Sequence, residues 1–254
     1  MSLLLTIITI NFNNLNGLKK TIDSVVSQEF QDFEYIIIDG GSTDGSKNLI
    51  EHYNKRLAYW VSEKDEGIYN AMNKGIEKSK GKYLLFLNSG DELYKNNVLS
   101  YIRNFKEDLI YFDVYFYNSS SSFVHKYPYK LNFNYFLKYS LPHQATLIKR
   151  KLFKDAGLYK ENYKICSDWA FFIDAIFKYG ASYKKVDKIF AKLDRSGISC
   201  DPQNYAWIEN ERFDFLQKNY ADKSLNYTEE NFPTHHRKNI IQRVLIKIFN
   251  STNQ

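Results

Sequence analysis

The sequence predicts an α/β fold: an open, mostly parallel sheet flanked by helices, with a helical extension at the C-terminal end. Three observations carry that expectation. Residues 3–10, 35–39 and 83–87 are short, unbroken runs of apolar and β-branched residues, the pattern of strands covered on both faces in a parallel sheet. The stretches between them space their apolar residues at the helical period. Each run also closes on a polar or acidic residue. A length of 254 residues, 44% of them hydrophobic and 17% aromatic, supports one large domain with a short appendage and excludes a disordered chain.

In chain order, the strand at 3–10 leads through a polar loop, 11–17, to a helix carrying Leu18, Ile22, Val25 and Val26 on one side. With the run at 35–39 this makes a βαβ unit. The turn Gly40-Gly41-Ser42-Thr43-Asp44-Gly45 opens a second helix with Leu49, Ile50 and Tyr53 on one side. A third strand at 59–62 precedes Glu63-Lys64-Asp65-Glu66-Gly67. Ile68, Ala71, Met72, Gly75 and Ile76 then follow an i, i+3, i+4, i+7, i+8 template, and Gly81 is expected to close that helix before the strand at 83–87. The second half is less regular. It offers a strand at 109–117, a Ser-rich turn at 118–122, aromatic-rich sequence up to Tyr139, a helix at 169–179, strands near 182–186 and 189–193, and a helix near 205–220. No internal repeat is present.

Charge and cysteine content narrow the function classes. The formal net charge is +6, but four of those charges, Arg237, Lys238, Arg243 and Lys247, follow the last acidic residue, Glu230. A body at +2 does not form a nucleic-acid-binding surface, so no nucleic-acid partner is expected. Two distant cysteines, Cys166 and Cys200, make neither a disulfide framework nor a zinc pattern and fit a reducing cytoplasm. The first apolar run lacks a basic leader and is too short to span a bilayer, so it reads as a strand.

In open parallel sheets ligands sit beyond the carboxyl ends of the strands, which directs attention to Asn11, Asp39, Asp65 and Asp91. Asp39 before Gly40-Gly41-Ser42-Thr43-Asp44-Gly45 suits a carboxylate accepting from a nucleobase imide N–H, or a capping Asp in a turn. Asn88-Ser89-Gly90-Asp91-Glu92 offers hard oxygen ligands for Mg²⁺ or Mn²⁺, or an ordinary polar loop. Asp168, between Ser167 and Trp169 at a helix entrance, is either a helix cap or a general base whose pKa the indole raises by desolvation. Tyr127, Tyr129, Phe133, Tyr135, Phe136 and Tyr139 are read mainly as core, with sugar stacking as the alternative.

Taken in order over residues 3–200, TIITINFNN, IIIDGGSTDG, DEGIYNAMNKGI, FLNSGDE, PHQATLIKRKLF and CSDW resemble the family 2 glycosyltransferases with the GT-A fold. The resemblance implies that Thr9, Asn11 and Asp39 hold the nucleotide base, usually uracil, and that Asp65 lines the same pocket. The family's metal motif, Asp-X-Asp or Asp-X-Asp-Asp, reads Asn88-Ser89-Gly90-Asp91 here. Asp91 is therefore the one motif ligand for Mn²⁺ or Mg²⁺, with room for a ligand from elsewhere, such as a histidine. Asp168 matches the family's catalytic base, and His143 falls near the acceptor side with its role open. The implied reaction is direct displacement with inversion, moving a hexose or N-acetylhexosamine from a UDP-sugar to a glycan or polyprenyl-linked saccharide of a bacterial surface polysaccharide.

On this reading residues 1–220 form the GT-A domain, with a nucleotide-binding half at 1–95 and an acceptor half at 96–220, and residues 221–254 form a basic amphipathic tail. Ile240, Ile241, Val244, Leu245, Ile248 and Phe249 share one broad helical arc in that tail, opposite Arg243 and Lys247. Such a helix lies on the inner face of the cell membrane, docks on its own body, or joins two copies as a homodimer. Two other functions compete: a catalytically weak nucleotide-sugar-binding module, suggested by the reduced metal motif, and a nucleotidyltransferase. The latter needs a basic, Gly-rich phosphate loop after the first strand, and residues 11–17 contain no Lys or Arg and one Gly.

Overall fold

In the computed structural model, residues 3–102, 105–195 and 197–224 are described. The first half alternates as the hydrophobic runs require: β1 (Leu5–Asn11), α1 (Leu15–Val26), β2 (Phe33–Asp39), α2 (Ser46–His52), β3 (Tyr59–Ser62), α3 (Ile68–Lys78) and β4 (Tyr83–Phe86). β1 lies between β2 and β4 and pairs parallel with both, while β3 extends the sheet beyond β2, also in parallel. Every residue of β1 and β4 is buried, which is why these strands read as unbroken apolar runs rather than alternating ones. α1 starts where the Asn14 side chain accepts from Gly17 N at 3.1 Å, and it buries Leu18, Ile22 and Val25 against the sheet.

The second half contributes β5 (Glu92–Leu93), β6 (Leu109–Tyr117), β7 (Ser122–His125), α4 (Phe133–Lys138), β8 (Thr146–Lys149), α5 (Arg150–Asp155), α6 (Ser167–Ile173), β9 (Tyr183–Asp194), α7 (Tyr205–Asn219) and α8 (Ala221–Ser224). One sheet runs through both halves in the order β3-β2-β1-β4-β8-β6-β9-β5, with β7 on β6. It is parallel in its first four strands. Antiparallel pairs enter through β8, which joins β4 to β6, and through β5 and β7. α6 continues as one π-helical turn, Asp174–Lys178.

Several expected elements change form. The two strands expected near 182–186 and 189–193 are the single β9, whose register against β6 slips between Phe112 and Val114. The Ser-rich turn ends in β7, whose first residue is Ser122. Of the aromatic stretch, Phe136 and Tyr127 are buried while Tyr129 and Tyr139 are exposed. The tail helix expected at 239–249 lies outside the described residues.

Gly81 does not cap α3, which ends at Lys78 with Ser79 as its cap residue. The glycine is needed because β4 enters the sheet against β1: a Cβ there would sit 2.5 Å from Thr6 N and 2.6 Å from Leu5 C. Both are backbone atoms of a fully buried strand and have nowhere to move. Gly81→Ala is expected to cost about 3 kcal/mol in urea unfolding. A loss under about 0.5 kcal/mol would show that the strand entry is loose.

Candidate active site

The carboxyl ends of β1, β2 and β3 are tied together by one buried carboxylate. Asp39 Oδ1 accepts from Asn11 Nδ2 (2.7 Å) and Ser42 Oγ (2.6 Å), and Oδ2 accepts from Ser42 N (3.0 Å) and Ser62 Oγ (2.6 Å). Burial alone pushes such a group up, but these bonds outweigh it and hold Asp39 below the usual carboxylate range. Its acceptor sites are thus used inside the protein. Thr9 is equally enclosed, with its hydroxyl on Leu87 O and Tyr35 Oη. Neither Thr9 nor Asp39 lines the cleft above, whereas Asn11 and Asp65 do. Asn11 donates its amide to Asp39 and Ser42, which leaves its buried Oδ1 without a partner among the described residues. Asp65 is held by Lys74 Nζ at 2.6 Å.

The turn after β4 carries the second group. Gly90 sits at φ 104°, a conformation that favours glycine, and its N–H bonds Thr21 Oγ1 (2.9 Å), which in turn donates to Asp91 O (2.7 Å). The turn therefore rests on α1. Asp91 Oδ2 accepts from Gln144 Nε2 at 3.1 Å, and burial pushes its carboxyl up to about 7 against that bond and the nearby His143. Asn88 turns its Nδ2 toward His143 Nε2 (3.1 Å), and its buried Oδ1 has no partner among the described residues.

Asp168 stands across the cleft in the first turn of α6, where Cys166 and not Asp168 is the cap residue. Asp168 Oδ2 lies 2.9 Å from His143 Nδ1, and Tyr69 Oη bonds Oδ1 at 2.9 Å. With the Asn88 amide donating to Nε2, the ring carries its hydrogen on Nδ1 and donates it to Asp168. Burial raises the Asp168 pKa, but the bonds from His143 and Tyr69 outweigh it and hold the carboxyl below its usual range. The expected upward shift beside the indole does not occur. Trp169 is core, 1% exposed, with its N–H on Phe136 O at 2.8 Å.

These groups face one cleft of about 1270 Å³, above the size of a pocket for a single small ligand and suited to two substrates together. Asn11, Asp65, Asn88, Asp91, His143 and Asp168 all line it. Sequence reasoning passed over Phe12, whose ring lines the cleft with 66% of its surface exposed, and Tyr69 and Gln144, which position the two carboxylates. Phe12 carried a signal: it is a large aromatic just past a strand end, outside the apolar run. Among the described residues no cluster of three His, Cys, Asp or Glu groups forms a ready metal cage. Both His143 nitrogens are engaged, so the extra histidine ligand is not supplied from there. No helix among the described residues is long and apolar enough to cross a membrane.

The fold is that of the GT-A glycosyltransferases. The chain belongs to glycosyl transferase family 2, whose family model matches residues 6–176. It is 32% identical over 158 residues to a PGL/p-HBAD biosynthesis glycosyltransferase of Mycobacterium bovis, a match covering 59% of this chain and 60% of that relative. S. aureus TarS 1-349 in complex with UDP-GlcNAc superposes with a TM-score of 0.63 at 19% identity, covering 75% of this chain and 58% of that one. The mannosyltransferase PcManGT of Pyrobaculum calidifontis, in complex with GDP-Man and Mn²⁺, gives a TM-score of 0.60 at 15% identity, covering 86% and 63%. The chain spans about three fifths of the length of the mycobacterial relative.

The raised pKa of Asp91 has a definite sign in stability. The folded group holds its proton up to about pH 7, whereas the unfolded carboxyl releases it near ~3.9, so folding loses stability as pH rises between the two. Asp91→Asn removes this contribution. Urea unfolding is expected to show the variant gaining on the parent protein steadily from about pH 4 to pH 7 and no further above that. A gap that does not change with pH would contradict the raised pKa of Asp91.

Proposed function

We propose that the chain moves a hexose or N-acetylhexosamine from a UDP-sugar to a hydroxyl of a glycan or lipid-linked saccharide, with inversion, in the synthesis of a bacterial surface polysaccharide. The observation that carries this reading is Asp168, an anion by its hydrogen bonds, in one cleft with the Asn88–Asp91 turn and the Asn11 floor. The names of the neighbours support it: TarS is bound to UDP-GlcNAc, and the mycobacterial relative is a PGL/p-HBAD biosynthesis glycosyltransferase.

In this mechanism residues 1–95 hold the donor and residues 96–220 the acceptor. The unpartnered Asn11 Oδ1 accepts from the base imide N–H once the base settles on it, Phe12 lies against the base, and Asp65 closes the pocket side. Asp39 and Thr9 act beneath, fixing the strand ends. Asp168 takes the proton of the acceptor hydroxyl as that oxygen bonds the anomeric carbon, and the bond to the diphosphate breaks with its electron pair staying on the diphosphate. His143 and Tyr69 keep the carboxylate aimed and ionised. The Asn88 amide oxygen, which has no partner among the described residues, and the Asp91 carboxylate in the same turn would hold a hard divalent cation. Mn²⁺ or Mg²⁺ held there supplies positive charge for the departing nucleoside diphosphate. Residues 221–254 provide contact with the inner face of the membrane.

Asp168→Asn keeps the size and most hydrogen bonds of the side chain but removes the base. Transfer from a panel of UDP-sugars is expected to fall at least about 10²-fold while UDP affinity stays within about twofold. Near-normal turnover would remove Asp168 from the chemistry.

A further inference from the structure

The helix α7 is not held to the body by an unbroken apolar stripe. Its buried residues are Glu211, Phe215 and Leu216, so a glutamate occupies the face turned inward. Glu211 is 8% exposed, and a buried carboxylate is costly unless it is well bonded. It is bonded to three consecutive backbone N–H groups: Oε1 accepts from Lys164 N (2.6 Å), and Oε2 accepts from Ile165 N (3.0 Å) and Cys166 N (2.9 Å). These donors belong to the segment that turns into α6. Cys166 is the cap residue of α6, so the three N–H groups that Glu211 binds end where that helix begins.

Two residues beyond this anchor is Asp168. α7 grips the next residue as well: the Phe215 ring meets Trp169 at 5.4 Å between centroids, and the Arg212 guanidinium stands 5.0 Å over the indole. α7 also walls the cleft, with Tyr205, Ile208 and Arg212. The segment carrying the base is thus fixed from α7, an element beyond residue 176 where the family match ends.

We propose that Glu211 is a positioning residue for Asp168: its carboxylate pins residues 164–166, and α7 thereby sets where the base points. This rests on the reading of Asp168 as the base. Glu211 does not reach the cleft chemistry itself, and the donor floor at Asn11, Asp65 and Asn88 is built by other elements. A change at Glu211 should therefore slow turnover without weakening donor binding.

The test compares the full chain with Glu211→Ala and Glu211→Gln, which retains one acceptor oxygen. Three quantities are read: amide hydrogen exchange in a peptide spanning residues 160–170, UDP affinity by calorimetry, and UDP release from UDP-glucose and UDP-N-acetylglucosamine. Glu211→Ala is expected to exchange at least about tenfold faster in that peptide and to turn over at least about tenfold slower, with UDP Kd and donor KM within about twofold. Glu211→Gln should fall between it and the parent. Unchanged exchange, parental turnover in either variant, or an equal loss of kcat and UDP affinity would overturn the proposal. If Glu211→Ala fails to fold, Glu211→Gln is judged by the same three readings. Should the unsubstituted protein release UDP from neither donor, the donor reading fails, and exchange alone decides whether Glu211 pins the segment.

Discussion

The Asn11 side of the cleft depends on one buried carboxylate. Asp39 collects four hydrogen bonds from β1, from the following turn and from β3, so three separate strand ends become a single rim. A charge buried this way is tolerated because every bond to it is made, and the same bonds fix their donors. Asn11 is the main beneficiary: with its amide nitrogen committed to Asp39, its oxygen can face only the remaining side. Gly40, whose N–H bonds Asn11 O at 2.9 Å, closes the turn without a side chain that would press on Asp65 and Phe12.

The opposite wall is assembled from distant parts of the chain and meets the donor side through His143. Its ring spans from the Asn88 amide, in the turn after β4, to the Asp168 carboxylate on α6. One imidazole thus joins the turn proposed to face the diphosphate to the group proposed to take the acceptor proton. Tyr69, on α3 and also lining the cleft, bonds the other oxygen of the same carboxylate. These bonds hold the Asp168 carboxyl below its usual range.

How much of this was readable beforehand follows from the range of the interactions. β1, β2 and β4 announced themselves because full burial on both faces leaves an unbroken apolar run, and the 109–117 and 59–62 strands came out with their observed bounds. β5, with two residues, and β8, with four, are too short to show a period, and each exists only through pairing with distant strands. The site residues that end strands were visible as polar breaks. Whether they reach the cleft was not: Asp39 and Asp65 look alike in sequence, and only folding shows that the first is enclosed and the second lines the pocket. The direction of the Asp168 shift was misjudged for the same reason, since its partners lie 25 and 99 residues away. Glu211 left a trace, a glutamate on the inward face of a helix, but its backbone partners could not be read from spacing.

The central claim is that a nucleotide base with an imide N–H meets the acceptor left unpartnered at Asn11. Calorimetric titration of the protein with UDP and with CDP, each with and without Mn²⁺, tests it most directly, because cytosine presents an acceptor where uracil presents N–H. The account expects micromolar UDP binding that Mn²⁺ tightens, and CDP binding at least about tenfold weaker. Equal binding of the two, or no binding of either, would contradict it.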